Sequence, residues 1–291
     1  IAVFALLAGT ATTFSLATPL LAGAISSVTG IPQSTGLTLV ILVIVCAIYT
    51  FSVYFGMKGV QLSAATCTWL FFGLLAYVFF FGGQTRFIIE EGITALGNMT
   101  QNFIGLATWT DSLRTSSFPQ TWTIFYWAYW MVWCVAVPFF IGSISKGRTL
   151  RQVILGGYVF GLSGTFTSFI IMGNYGLGLQ MHGKLDVLSS YAADGNLYHA
   201  ILDILGQLPL SKAVLVLLVL CMITFYSTSF DSITMVASTY TYKKLQSDEE
   251  PHRNVKLFWA IFLILLPLAL IFSENSMSNL QTVSIIAAFP V

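Results

Sequence analysis

Residues 122–133 crowd Trp122, Tyr126, Trp127, Tyr129, Trp130 and Trp133 into a single apolar segment. At about 100° per residue of helix, Tyr126, Trp130 and Trp133 fall within about 60° of one another, with Tyr129 flanking them on one side and Trp127 on the other. Such a wall of π faces suits a cation with no proton to donate, because the ring quadrupole attracts charge without a hydrogen bond. An interfacial aromatic belt uses the same residue types near one membrane boundary. Here the rings extend about 16 Å along a helix rising 1.5 Å per residue, far enough to reach the middle of a bilayer. That reach favours a binding wall over a belt.

A second constellation interrupts an apolar run at residues 224–234, where Thr224, Ser227, Thr228, Ser229, Asp231, Ser232 and Thr234 are close together. Asp231 is the single acid inside a predicted span. A carboxylate in lipid costs about 3 kcal/mol on insertion scales, so it must face protein, water or an ion. The hydroxyls of Thr228 and Ser229, with freed backbone carbonyls, are hard oxygen ligands suited to Na⁺, as in the broken helices of secondary transporters. The same residues also read as a Ser/Thr-rich helix interface in which Asp231 caps a helix or pairs with Lys243. Their chemistry alone leaves both readings open.

Membrane helices must position these groups. The chain is 56% hydrophobic and 8% charged, with a mean hydropathy of +0.84, whereas soluble domains carry about 25% charge. Segments near the roughly 20 apolar residues of a spanning helix occur at about 2–25, 37–57, 64–82, 122–143, 152–173, 212–237, 256–273 and 280–291. The first opens without Met and the last stops in mid-segment, which suggests an internal piece of a longer protein. No secretory signal is recognisable. Loops after the second, fourth and sixth segments hold Lys58, Lys146, Arg148, Arg151, Lys243, Lys244, Arg253 and Lys256, and so are expected to face the cytoplasm. The near-neutral total of +1 gives no sign of a nucleic-acid partner. Cys46, Cys67, Cys134 and Cys221 are scattered, with no disulfide framework or zinc spacing. A channel would need repeated filter residues, and a membrane enzyme a nucleophile–base pair or metal cluster; neither pattern occurs.

Two inter-segment stretches carry apolar residues at helical spacing. Residues 85–107 are expected to form an amphipathic helix on the outer membrane surface, and Ile201, Leu202, Ile204 and Leu205 a second surface helix. Gly157 and Gly161 form a small-xxx-small step expected to allow close helix packing.

Three stretches, GMKGVQLSA (56–64), WTIFYWAYWMVW with ISKGRTLRQ (122–133 and 144–152) and STSFDS (227–232), together resemble the betaine/choline/carnitine transporter family. The terminal TVSIIAAFP (282–290) adds to the match. The resemblance implies an all-α polytopic bundle with an inverted-repeat, leucine-transporter-like fold, this chain running from about the fifth to the twelfth helix. Residues 1–84 would then end the first repeat, 85–107 be a surface helix and 118–291 belong to the second repeat. Also implied is secondary transport of a small quaternary-ammonium zwitterion across a bacterial plasma membrane, without catalysis or an organic cofactor, in an assembly that is often a homotrimer. Carried over by position, Tyr129, Trp130 and Trp133 fall at the aromatic cage, with Trp127 beside them and Phe125 as a gate ring. Tyr129 stands where tryptophan is common. Phe225, Thr228 and Ser229 match positions that supply a sodium site, Thr10 and Thr13 those of a second one, and Asp231 completes the hydroxyl–Asp motif. Sodium-independent exchangers of the family carry an arginine and a methionine where this chain has Thr68 and Val137. Sodium symport is therefore favoured over carnitine/γ-butyrobetaine exchange.

Overall fold

The computed structural model describes residues 2–271 except 195 and 246–248, together with 282 and 285–288. Every regular element among the described residues is helical. The helix α1 (Ala2–Thr29) carries Thr10, Thr12, Thr13 and Thr18, whose hydroxyls each donate to a carbonyl three or four residues earlier. Satisfying polar groups within the segment is what a bilayer requires. The helix α2 (Thr35–Tyr54) starts where the Ser34 side chain accepts the Leu37 N–H, a normal N-cap.

A two-residue turn, Phe55 and Gly56, leads into α3 (Met57–Phe81). Gly56 has φ +69°, a left-handed conformation that a Cβ disfavours. At Gly59 a Cβ would lie 2.1 Å from the Ser52 carbonyl oxygen. The glycines of the GMKGV stretch thus have separate geometric duties, one at the turn and one at the helix crossing. Glu250 reaches this corner from the far loop, accepting the Met57 N–H at 3.1 Å and the ammonium of buried Lys256 at 3.0 Å. The start of α3, with Lys58, and the 249–256 stretch therefore share one end of the bundle, as the charge pattern requires.

The core lies where α1 and α2 meet α12 (Ser211–Thr239) and α13 (Arg253–Ile271). Phe14, Tyr49, Tyr226 and Phe230 stack there, with Phe14 and Phe230 centroids 3.9 Å apart. The Tyr49 hydroxyl donates to the Ala260 carbonyl, and Tyr226 shares a hydrogen bond with Thr18, so buried phenols keep polar partners.

Among the described residues, five helices are long and apolar enough to cross a membrane: α1, α2, α3, the run Leu150–Met181, and α12. The 122–143 segment is not the straight span its hydropathy suggests. A π-helical turn (Pro119–Thr123) opens it, α6 (Ile124–Trp133) follows, and α7 (Val137–Ile144) departs at 53°. Pro138 explains the break, since it has no N–H for a helical bond and its ring would collide with the carbonyl four residues back. The run from Leu150 comprises α8 (Leu150–Ser168), a π-helical turn and α9 (Asn174–Met181). Its glycine stripe does not make the expected close contact, for no described atom outside the local helix lies within 4 Å of a Cβ placed at Gly157 or Gly161. The last expected span lies mostly outside the described residues, although Ala287 and Ala288 pack against α1 and α6.

The surface stretches are helical, as α4 (Thr85–Gln101) and α5 (Phe103–Thr108), then α10 (Val187–Asp194) and α11 (Leu197–Gly206). Ile88 and Gly92 are the buried points of α4. In the loop before α6, Asp111 accepts the backbone N–H groups of Ser116, Thr115 and Ser117 and both neighbouring hydroxyls. These bonds, that from the Ser116 N–H foremost, hold its carboxyl well below the usual carboxylate range. A depressed pKa means the charged anchor is present above the ordinary value of about 3.9 and is lost only when pH falls through the lower folded value. Amide exchange of residues 111–117 should accordingly stay slow through mild acid in the wild type and become fast at neutral pH in Asp111→Ala. Equal protection in both would show that the loop is ordered by other contacts.

Candidate aromatic binding site

A cavity of about 270 Å³ lies between α1, the α6–α7 bend and α12. Tyr129, Trp130 and Trp133 form one wall, Val137 and Phe140 lie beyond the bend, and Thr13, Ser229 and Ser232 present hydroxyls. The bend makes this enclosure possible, because a straight 122–143 helix would carry Phe140 further along its axis. Gly9 brings α1 close, as a Cβ there would lie 2.9 Å from the Trp133 ring and 2.9 Å from Val132. Tyr129 is fixed by a 2.6 Å hydrogen bond with Thr13 and stands edge-on to Trp133, centroids 6.0 Å apart. The cavity therefore combines π faces with a few hydroxyls and no formal charge.

Other expected site residues stand elsewhere. Trp127 points outward, 72% exposed, over shallow depressions with Thr123 and Met131. Tyr126 joins Trp122 there, one turn before the cavity. Tyr129 and Trp127 flank the same helical arc, so sequence spacing cannot distinguish them; packing against α1 turns Tyr129 in and leaves Trp127 out. Phe125 is buried under Tyr129 with centroids 5.6 Å apart, a supporting ring rather than a cavity wall.

The hydroxyl–Asp motif lies on an unbroken α12, contrary to the freed carbonyls expected from its composition. Thr228 donates to the Thr224 carbonyl and Ser232 to that of Thr228, so these hydroxyls are satisfied within the helix. Thr228 faces Ser63 of α3, and Phe225 meets Phe71 at 5.4 Å; neither borders the cavity, whereas Ser229 does. Thr10 is fully buried and bonds within α1, leaving Thr13 as the threonine of that pair at the cavity. Asp231 is buried, accepting Ser52 of α2 at 2.9 Å and Ser232 at 3.3 Å. It makes no pair with Lys243. The available hard donors at the cavity are the oxygens of Thr13, Ser229 and Ser232, which suit a monovalent ion. No group of three His, Cys, Asp or Glu side chains able to hold a metal occurs among the described residues.

Ser232 stands in the hydroxyl-rich run without being singled out as a site residue, and Phe140 and Gly9 escaped the sequence reading. The i, i+3 spacing of Ser229 and Ser232 was a readable signal; nothing local marks Gly9 or Phe140.

The model of the betaine/carnitine/choline family transporters matches residues 1–291. The chain belongs to that family. It is 31% identical over 268 residues to the carnitine transporter of Acinetobacter baumannii, covering 91% of this chain and 48% of the relative. It is 30% identical over 294 residues to the glycine betaine transporter OpuD of Bacillus subtilis, covering 100% of this chain and 55% of the relative. The chain thus spans about half the length of these relatives. The family and both relatives are named as transporters, not enzymes. Within this betaine/carnitine/choline family chain, Gly9→Ala should displace Trp133 and reduce ligand affinity while leaving most of the bundle intact. Ligand titration of the purified full-length variant against wild type checks this, and unchanged affinity would remove Gly9 from the site.

Proposed function

We propose that the protein takes part in sodium-coupled transport of a small trimethylammonium zwitterion of the glycine betaine or carnitine class. The observation that carries this reading is the juxtaposition of Tyr129, Trp130 and Trp133 with the hydroxyls of Thr13 and Ser229 around one cavity. Its volume lies just under the roughly 300–1,000 Å³ of ligand pockets, a fit for a compact solute. Trimethylammonium cannot donate a hydrogen bond, so ring faces replace its hydration. The Tyr129 hydroxyl, on exchanging its bond to Thr13, is suited to a substrate carboxylate or hydroxyl.

Thr13 and Ser229 would hold Na⁺, with Thr228, Phe225 and Thr10 in supporting positions that contribute through the helix rather than at the cavity. The ion supplies positive charge and crosslinks α1 to α12 when bound. Ion binding favours the substrate-ready arrangement, and inward release of the ion undoes it, the alternating-access logic of such carriers. Val137 favours this over sodium-independent exchange, because its methyls line the cavity where exchangers of the family place a thioether.

Uptake of labelled glycine betaine, carnitine and choline by vesicles holding the full-length protein, with Na⁺ or K⁺ outside, tests both parts. Uptake of at least one solute, greater in Na⁺, is expected. Equal uptake in the two salts would reject sodium coupling, and absence of all three fluxes would reject the substrate class. Unitary currents in planar bilayers would instead indicate a channel.

A further inference from the structure

A groove of about 580 Å³ runs along the outer seam of α2 and α13, on a face that the aromatic cavity does not use. Val43, Ala47 and Phe51 form one wall and Ile261, Ile264 and Leu268 the other. Its lining runs from Val43 to Tyr54 and from Leu257 to Leu268, about 16 Å on each helix at 1.5 Å per residue. Half of a hydrocarbon core about 30 Å thick is about 15 Å. The groove is therefore as long as one leaflet is deep.

Its two ends differ. The end at Tyr54 carries Arg253, whose guanidinium carbon stands 5.0 Å over the Tyr54 ring. This is the end that gathers Lys58 and the 249–256 loop. Lys256 is 3% exposed and already bound to Glu250, which neutralises it. Arg253 is exposed and makes no ion pair with any described residue. Among the described residues, its N–H donors thus stand without a counter-charge at one end of an apolar slot. An apolar helix from elsewhere would fill the slot but leave the guanidinium without a counter-charge, whereas a phosphodiester satisfies it with paired hydrogen bonds.

We propose that the α2–α13 groove holds one acyl chain of an anionic glycerophospholipid, with its phosphate on Arg253. The cytoplasmic leaflet, to which the basic loops assign this end, is also the more anionic one. The bound lipid lies along the outer seam of α2 and α13, and Tyr54 aligns the guanidinium by its ring face.

Native mass spectrometry of the full-length protein, exchanged into micelles containing phosphatidylglycerol or phosphatidylcholine of identical chains, tests this without substrate. Wild type should retain phosphatidylglycerol about fivefold better, the effect of one basic residue near an anionic headgroup. Arg253→Gln should lose that preference and keep the weaker retention of phosphatidylcholine. Ala47→Trp, which fills the slot, should lower retention of both lipids. Equal retention of the two lipids by wild type, or a preference that survives Arg253→Gln, would overturn the proposal. Disulfide-linked dimers of Val43→Cys, above the wild-type background, would place a second copy in the groove and overturn it too.

Discussion

Trp133→Leu in the full-length protein is expected to weaken binding of a trimethylammonium ligand about thirtyfold, since a desolvated cation–π contact is worth about 2 kcal/mol. Trp133 is half-buried beside Gly9 and edge-on to Tyr129, so its ring works where water is thin. Trp130 also borders the cavity but is 64% exposed among the described residues. Trp130→Leu should therefore cost less, nearer the 0.5–1 kcal/mol of an exposed contact, or about two- to fivefold. Trp127→Leu serves as the control and should leave affinity within about twofold, as a surface substitution away from special features does. Equilibrium binding of a radiolabelled ligand reads all three variants without relying on tryptophan fluorescence. Full affinity in Trp133→Leu would refute the aromatic site. A loss in Trp127→Leu equal to that in Trp133→Leu would mean that the wall faces the other way.

Gly59→Ala is expected to do the most structural damage of any methyl added at a described glycine. A Cβ there would lie 2.1 Å from a backbone oxygen, that of Ser52, and a main-chain atom cannot rotate away as a side-chain tip can. The α2–α3 corner must open, at a cost in the upper part of the roughly 1–3 kcal/mol typical of overpacked sites. Opening it also moves Ser52, whose hydroxyl is bonded to the buried Asp231 carboxyl group, and a buried polar group that loses its nearer donor is destabilised. Thermal unfolding of the purified full-length variant should show a clear drop in Tm. Gly97→Ala is the matched control, because no atom lies within 4 Å of its added Cβ, and it should be neutral or mildly stabilising. Wild-type stability in Gly59→Ala would show that the corner is looser than its geometry implies.

Much of the architecture follows from pattern alone. Runs of about 20 apolar residues must become helices in a bilayer because no other open structure satisfies its own backbone there, and α1, α2, α3 and α12 all appear where those runs lie. The amphipathic surface stretches follow from spacing for the same reason. Breaks are harder to read. Hydropathy averages over a window, so it passes across Pro138 without registering the 53° bend that folds Phe140 toward the cavity. Serine and threonine in a row suggest an unwound helix, yet α12 stays whole, with Thr224, Thr228 and Ser232 each bonded to a carbonyl four residues back.

By itself, the sequence determined that this is a helical membrane protein of the betaine/carnitine/choline family, and which twelve residues hold its aromatic wall. Hydropathy and residue type are local properties, written one position at a time. Only the tertiary structure decided that Tyr129 faces the cavity while Trp127 faces away, that Ser229 reaches it while Thr228 turns to Ser63, and that Asp231 is held by Ser52. Those outcomes depend on which neighbouring helix covers which side of α6 and α12, and helical periodicity is blind to the partner.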